Sequence, residues 1–174
     1  TKLMASYPPD GEELESYNVG ETEVTIFEVP ETVQYLYHIM PPEFKLSEEE
    51  YEILDTARKI MAEHKPKRSE FVDPERMRQV FYDVGSDLIE ELVSSRGIKM
   101  SARDIEKMLN ILVRYTVGFG LIEVLLQDDR VQDITINSPM GSIPMFIVHQ
   151  DYTDCKTNII PTVMEAESWA SKLR

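Results

Sequence analysis

Apolar residues follow two different spacings along this chain, and the change of spacing predicts where strands and helices lie. Between Glu23 and Ile39, β-branched and aromatic residues form two runs around Pro30-Glu31-Thr32, which is typical of a β-hairpin. From residue 47 to about residue 117 the apolar positions repeat at helical spacing. Residues 131–149 return to strand-like runs on both sides of a turn at 138–141, which predicts a second hairpin.

Four of the predicted helices begin with a side chain that can accept a hydrogen bond from the first-turn N–H groups. These N-caps are Ser47, Asp73, Ser101 and Thr162. Gly97 is placed to end the second helix, since glycine adopts the left-handed conformation that often follows a C-terminus. In the first helix the predicted buried stripe consists of Tyr51, Leu54, Ala57, Ile60, Met61 and His64.

Segment 114–137 connects the helical part of the chain to the second strand region, and the rest of the chain is arranged around it. It completes a helix, breaks at Gly118-Phe119-Gly120, restarts as a short apolar helix, turns at Asp128-Asp129 and enters a strand. Glycine on both sides of a phenylalanine lets the backbone turn sharply while the ring packs into the core. From the residues alone this break is a candidate hinge between the helical part and the strand part of the chain.

These patterns predict an α+β fold with an N-terminal β-hairpin, a layer of three to four helices, a second antiparallel hairpin and a terminal helix. Residues 1–22, rich in Pro, Gly and Glu, are predicted to be a loosely ordered leader. We divide the chain into an acidic leader with hairpin, 1–45, and an α+β domain, 46–174. The last helix shows no stop signal and the chain begins without methionine, so we expect a segment of a longer protein.

The net charge of −14 argues against a protein that binds nucleic acid by neutralising phosphates. Residues 1–70 hold 16 acidic and 7 basic side chains, a net −9, and the basic cluster 65–68 interrupts this acidic region. That cluster is either a solvated linker or a contact for an acidic partner or membrane surface. No apolar run reaches the roughly 18 residues of a membrane span, and no signal peptide is visible.

Standard nucleotide and metal motifs are missing from the sequence. No glycine is followed by lysine, as a P-loop requires, and Glu123 stands where a dinucleotide fingerprint would continue after Gly118 and Gly120. The histidines at 38, 64 and 149 are far apart and have no spaced Cys or Asp partners. We therefore predict no catalytic residue and no metal site in this chain.

Three further residue groups admit more than one interpretation. Cys155 lacks a neighbouring histidine or helix N-terminus, which favours a buried, inert thiol over a reactive one. Asp128-Asp129 could bind a metal or a partner's arginine, but such a pair more often ends a helix and begins a turn. Trp169 is most simply the anchor of the last helix.

Arg114 and Arg130 bracket the Gly118–Gly120 joint and are the candidate ligand-binding residues. An arginine keeps its charge at every physiological pH and can bind a phosphate with two parallel hydrogen bonds. Each could therefore reach a phosphate held by a neighbouring domain. The alternative is an ordinary salt bridge to Asp128, Asp129 or Asp133.

The residues from Arg114 to Ile122 and from Asp128 to Asn137 resemble the N-terminal domain of the ATPases of type II and type IV secretion systems. The similarity is closest to archaeal members, which are related to archaellum and pilus motor ATPases. Residues 155–174 resemble the same proteins just before their linker. The resemblance extends over roughly residues 45–174.

In that family an α+β N-terminal domain precedes a RecA-like ATPase domain, and six subunits form a ring. The resemblance implies that ATP and Mg²⁺ are held by the full-length protein, in the cleft between the two domains. It further implies a cytoplasmic location at an inner-membrane platform protein. In such a motor domain the Gly118–Gly120 joint is expected to be rigid, and the motion is expected in the linker beyond Arg174. Arg114 and Arg130 would then contact nucleotide or a neighbouring subunit. The chain alone, lacking a P-loop, is expected to bind no cofactor and hydrolyse no ATP.

A second hypothesis comes from a different class of protein. The acidic leader and the missing nucleotide motif also fit a stand-alone adaptor domain that binds a protein partner without any ATPase activity.

Overall fold

The computed structural model describes residues 2–63, 73–137 and 141–172. The chain divides into two compact units. Unit 1 consists of Thr1–Pro41 and Leu121–Arg174, and unit 2 is Pro42–Gly120. Strands lie in unit 1 and three long helices lie in unit 2, so the predicted α+β class is confirmed. That residues 46–174 act as one functional domain stays a prediction.

Unit 1 contains a six-stranded sheet and a separate two-stranded one. Its strands are β1 Lys2–Leu3, β2 Glu12–Val19, β3 Thr22–Glu28, β4 Tyr35–Met40, β5 Val131–Thr135, β6 Phe146–His149, β7 Thr153–Thr157 and β8 Ile159–Ile160. The order in the larger sheet is β2-β3-β4-β7-β6-β5, while β1 pairs with β8. Both predicted hairpins, β3–β4 and β5–β6, are present. The strand β7 was not predicted; it joins them into one sheet by pairing parallel to β4 and antiparallel to β6.

The prediction of a loosely ordered leader is wrong, because Glu12–Val19 forms an eight-residue edge strand. The partly buried positions of this strand, Glu15, Tyr17 and Val19, alternate with exposed ones. Because the first of them is a glutamate, the sequence does not show the apolar/polar alternation that is typical of a strand. An edge strand needs pairing on one side only, and β3 supplies it. A two-residue loop connects the strands, with Gly20 at a φ of 59° that favours glycine.

Unit 2 is a group of three α-helices: α1 Glu48–Glu63, α2 Pro74–Ser95 and α3 Ala102–Thr116. A 3₁₀ helix, Pro42–Lys45, precedes them. Nine buried side chains form the core, namely Ile53, Ala57, Met61, Ile89, Val93, Met108, Leu109, Leu112 and Val113. At Gly85 the helices α2 and α3 approach closely, since an added Cβ would lie 3.0 Å from Leu109 Cδ1.

The predicted N-caps are confirmed by hydrogen bonds in both units. Ser47 Oγ accepts from Glu50 N–H at 3.1 Å, and Asp73 and Ser101 cap α2 and α3 in the same way. Thr162 begins α5, Val163–Lys172, in unit 1. Gly97 follows α2 with a φ of 63°, as predicted.

The predicted stripe of α1 is wrong at two positions, because it includes Tyr51 and omits Ile53. Its buried residues are Ile53, Ala57 and Met61, whereas Tyr51 is 60% exposed. Tyr51 fits the helical spacing of the stripe, but at the start of the helix its side chain faces solvent. The predicted stripe position His64 and the basic cluster 65–68 lie outside the described residues.

The joint at Gly118–Gly120 is the point where the chain passes from unit 2 to unit 1. Gly118 N–H donates to Val113 O and Gly120 N–H to Arg114 O, so both amides are hydrogen-bonded. The short helix α4, Ile122–Gln127, follows as predicted. The Phe119 ring is half-buried rather than fully enclosed in a core. Rigidity of the joint stays a prediction.

Candidate functional site

Arg114 and Arg130, the two predicted site residues, belong to different units, and each is paired with a carboxylate of its own unit. Neither pairs through its side chain with Asp128, Asp129 or Asp133, the partners expected for an ordinary salt bridge. The acid partner lies far away in sequence in both cases, which is why sequence spacing did not reveal it. A contact with nucleotide or a neighbouring subunit stays a prediction for both arginines.

In unit 1 the polar centre is Asp128, which ends α4 and is only 5% exposed. Its Oδ2 accepts hydrogen bonds from the hydroxyls of Tyr17 and Tyr37, each at 2.6 Å. Its Oδ1 accepts from the backbone N–H of Arg130 at 2.9 Å. The expectation that this acidic pair ends a helix and begins a turn is therefore confirmed. We call Tyr17, Tyr37, Asp128 and His149 the Asp128 cluster.

His149 extends the cluster by one further hydrogen bond. Its Nδ1 accepts the N–H of Asp151 at 3.1 Å, which leaves the hydrogen of a neutral ring on Nε2. That Nε2 lies 3.0 Å from the Tyr17 hydroxyl oxygen and donates to it, while the same hydroxyl donates to Asp128. Burial lowers the pKa of His149, although nearby Asp128 and Asp151 oppose the shift. The neutral ring therefore matches the direction of donation.

The register of the sheet brings these side chains to one face. Tyr17 pairs with Val24 of β3, and Tyr37 pairs with Ile26 two positions further along the same strand. Residues two apart in a strand share a face, so both tyrosines point to the same side. The pairs of β4 and β6 with β7 extend the same side to His149.

Arg130 closes the exposed end of the cluster. Its Nη1 donates to Glu15 Oε1 at 2.5 Å, and its guanidinium lies over the Tyr17 ring at 4.2 Å from the centroid. Tyr152 donates to the other oxygen of Glu15 at 2.8 Å. The hydrogen bond from Tyr152, and then the one from Arg130, lower the pKa of Glu15. The same bond to Glu15 raises the pKa of Tyr152 to about 12.

The chemistry of the Asp128 cluster favours a supporting role over catalysis. Burial and the Asp128 carboxylate raise the pKa of both Tyr17 and Tyr37, so neither hydroxyl is prepared to lose its proton. Each polar side-chain atom of the cluster has a hydrogen-bond partner, either within the cluster or in a neighbouring backbone N–H group. The arrangement fastens the C-terminus of α4 to strands β2, β4 and β6.

Sequence reasoning did not select Glu15, Tyr17, Tyr37, His149 or Tyr152 as one group. They come from three strands and a turn, and their proximity depends on register. The available signal was the alternation of Glu15 and Tyr17 along β2, which places both on one side.

In unit 2 Arg114 is held at the C-terminal end of α3. Its Nη2 donates to both carboxylate oxygens of Glu43, and the Tyr115 hydroxyl donates to Glu43 Oε2, all at 2.5 Å. The Arg114 and Glu43 side chains are 14% and 11% exposed. The pair thereby attaches the 3₁₀ helix Pro42–Lys45 to α3 in a mostly buried position.

Beside this pair lies a groove of about 560 Å³, which we call the α1–α3 groove. One wall is a face of α1, the opposite wall is a face of α3, and the 3₁₀ helix closes one end. The aromatic residues along it are unusually exposed: Phe44 at 50%, Tyr51 at 60% and Tyr115 at 40%. The surface of the groove is mainly apolar.

The remaining predicted sites resolve as follows. Cys155 is fully buried, and burial raises the pKa of its thiol to about 11, as expected for an inert cysteine. Within the described residues, no three His, Cys, Asp or Glu side chains are grouped so that they could hold a metal ion. The Trp169 side chain lies outside the described part of the chain. None of the described helices is long and apolar enough to cross a bilayer.

Comparisons with known proteins give one distant relative. The chain is similar to the uncharacterized protein MJ1288 of Methanocaldococcus jannaschii, with 25% identity over 149 residues. The matched region is 83% of this chain and 54% of that protein, so the chain spans about half the length of the relative. No protein-family profile matches the chain.

Proposed function

We propose that this chain is the N-terminal regulatory and mechanical domain of a hexameric secretion ATPase. It would move relative to a C-terminal RecA-like ATPase domain and so power protein export or assembly of a pilus-like fibre. ATP and Mg²⁺ would be held by the full-length protein. The assembly would lie in the cytoplasm, against an inner-membrane platform protein.

The observation that carries this proposal is segment 114–137, whose residues resemble the secretion ATPases. In this chain the segment contains the end of α3, the glycine joint, α4, the Asp128 turn and β5. It therefore holds the connection between the two units as well as both candidate arginines. A role in transmitting motion would explain why the resemblance centres on this connection rather than on an active site.

The proposal is tested by the full-length protein and by the chain alone. The reading frame that contains these residues is expected to encode a P-loop, and the full-length protein is expected to hydrolyse ATP with Mg²⁺. The 174-residue chain, purified alone, is expected to show no hydrolysis above a buffer blank. A full reading frame without a P-loop would overturn the motor assignment.

A second candidate function is an adaptor domain that binds a protein partner and has no ATPase. The α1–α3 groove favours it, because exposed aromatic side chains around a concave apolar surface are typical of protein-binding sites. Mass measurement of the full-length protein under native conditions separates the two functions. Hexamers that require a fused ATPase domain support the motor, whereas a short natural protein without that domain supports the adaptor.

A further inference from the structure

The α1–α3 groove has the shape of a site for a helix. The residues that α1 contributes include Tyr51, Leu54 and Arg58, which follow one another at intervals of three and four. From α3 the groove receives Ile111 and Tyr115, also four apart. Two parallel ridges of this kind accept the ridge of a third helix more readily than an extended strand, which would need a free strand edge for its backbone.

The charged side chains beside the groove indicate which sign of charge a partner should carry. The first turns of α1 carry the exposed acids Glu48, Glu49 and Glu52. Of these, Glu52 has a long contact of 3.9 Å with Arg96, and no ion pair to Glu48 or Glu49 occurs among the described residues. Asp55, which lines the groove, pairs with both Arg58 and Lys59, so these three side chains together carry one positive charge. Over residues 48–59 of α1, five acidic side chains stand against two basic ones, so this part of the helix carries a net charge of −3 beside the groove.

We propose that the α1–α3 groove binds an amphipathic helix of a partner protein, with apolar residues facing the groove and Lys or Arg on the flank facing the start of α1. Helix-in-groove binding of this type uses anchors at i, i+3 or i+4, and i+7. The inference rests on the protein-binding role in the adaptor proposal and deepens it by naming the kind of partner. It needs no nucleotide and no second domain.

The binding test uses the 174-residue chain and two labelled synthetic peptides of about 18 residues, a length that supports a helix. Both carry leucine at alternating intervals of three and four, and the other positions are mainly lysine in one peptide and glutamate in the other. Fluorescence anisotropy at low ionic strength measures the Kd of each. The lysine peptide is expected to bind at least about tenfold more tightly, and added salt should reduce that preference.

Two pairs of variants locate the binding. Tyr51→Ala removes an exposed groove residue and is expected to weaken the lysine peptide by about tenfold, as loss of an aromatic anchor does. Its control, Val84→Ala, removes an exposed apolar residue of α2 and should change the Kd less than twofold or so. Glu48→Gln with Glu49→Gln should reduce the preference for lysine, whereas Glu90→Gln with Glu91→Gln on α2 should not. Circular dichroism verifies that each variant keeps its helix content.

Three results would overturn the inference. The first is equal binding of the two peptides, and the second is equal weakening by Tyr51→Ala and Val84→Ala. The third is a concentration-dependent dimer in sedimentation that Tyr51→Ala abolishes, because the groove would then be covered by a second copy of this chain. None of these results depends on ATP hydrolysis, so failure here leaves the motor proposal standing, and the reverse also holds.

Discussion

The two units differ in which side chains they bury: unit 1 encloses polar groups, whereas unit 2 leaves aromatic groups exposed. Unit 1 buries a carboxylate, a histidine and a fully enclosed tyrosine in one hydrogen-bonded cluster, and Arg130 with Glu15 closes its exposed end. Unit 2 has an interior of aliphatic and methionine side chains, yet leaves aromatic rings exposed along its groove. A saturated polar cluster has little left to offer a ligand, whereas an unfilled apolar groove does. The better candidate for a binding surface is therefore in unit 2, although most of the buried ionisable side chains lie in unit 1.

The largest expected effect is the loss of stability when the Asp128 carboxylate, the centre of the polar cluster in unit 1, is removed. Asp128→Ala leaves the Tyr17 and Tyr37 hydroxyls without their shared acceptor inside the protein. We expect a loss of about 3 kcal/mol in the free energy of unfolding, because buried donors lose a charged partner. Urea unfolding followed by circular dichroism measures the loss.

The neighbouring Asp129→Ala is the matched control for that experiment. Asp129 is exposed and next in sequence, so its removal should change the free energy of unfolding by less than about 0.5 kcal/mol. Equal losses for the two variants would mean that the cluster contributes little and that the turn alone matters.

Unit 2 should respond to volume rather than to charge. Gly85→Val places methyl groups where even a Cβ lies 3.0 Å from Leu109 Cδ1 and 3.2 Å from Leu112 Cδ2. Overpacking of this kind costs about 1–3 kcal/mol, so we expect a loss near 2 kcal/mol in the free energy of unfolding. Thermal and urea unfolding of the full chain measure it.

The comparison for Gly85→Val is Ser94→Val on the exposed side of the same helix. Both variants introduce the same β-branched side chain, so Ser94→Val reports the helix propensity of valine without crowding. If the two lost the same stability, close packing of α2 on α3 at Gly85 would not be what holds unit 2 together.

Local signals in the sequence were enough to predict most of the elements. N-caps, the glycine after α2 and the hairpin turns depend on residues within a few positions of one another, and all of those within the described residues were found where expected. The strands β2 and β7 were not predicted, because their largely polar stretches become strands only through pairing with β3, β4 and β6. Register carries that information, and no local pattern does.

The candidate site was predictable only in part, for a related reason. Arg114 and Arg130 could be chosen from their positions around the joint, but their partners Glu43 and Glu15 lie 71 and 115 residues away in sequence. The α1–α3 groove could not be predicted, because the spacing of Tyr51 is the same whether its side chain is buried in the core or exposed. Helical spacing identifies a face, but it does not tell whether another element covers that face.

The smallest expected effect is a loss of unfolding free energy on acidification, which we attribute to the histidines of unit 1. Burial lowers the pKa of His149 in the folded chain, so below a pH of about 6.5 the unfolded chain binds a proton more readily than the folded one. The stabilising contribution of the neutral ring is complete above that pH and is lost as the pH falls towards the folded-state pKa. His149→Gln should therefore flatten the decline of unfolding free energy in this window, by at most about 1.4 kcal/mol per pH unit for one proton.

His38, also in unit 1 and with a pKa lowered by burial, should contribute a second such proton, so the double variant His149→Gln, His38→Gln should be flatter still. Urea titrations between about pH 5 and pH 7.5 measure the slope. A slope that neither substitution changes would show that the polar cluster of unit 1 does not respond to pH through its histidines, and the carboxylates, beginning with Glu15, would have to account for any acid sensitivity.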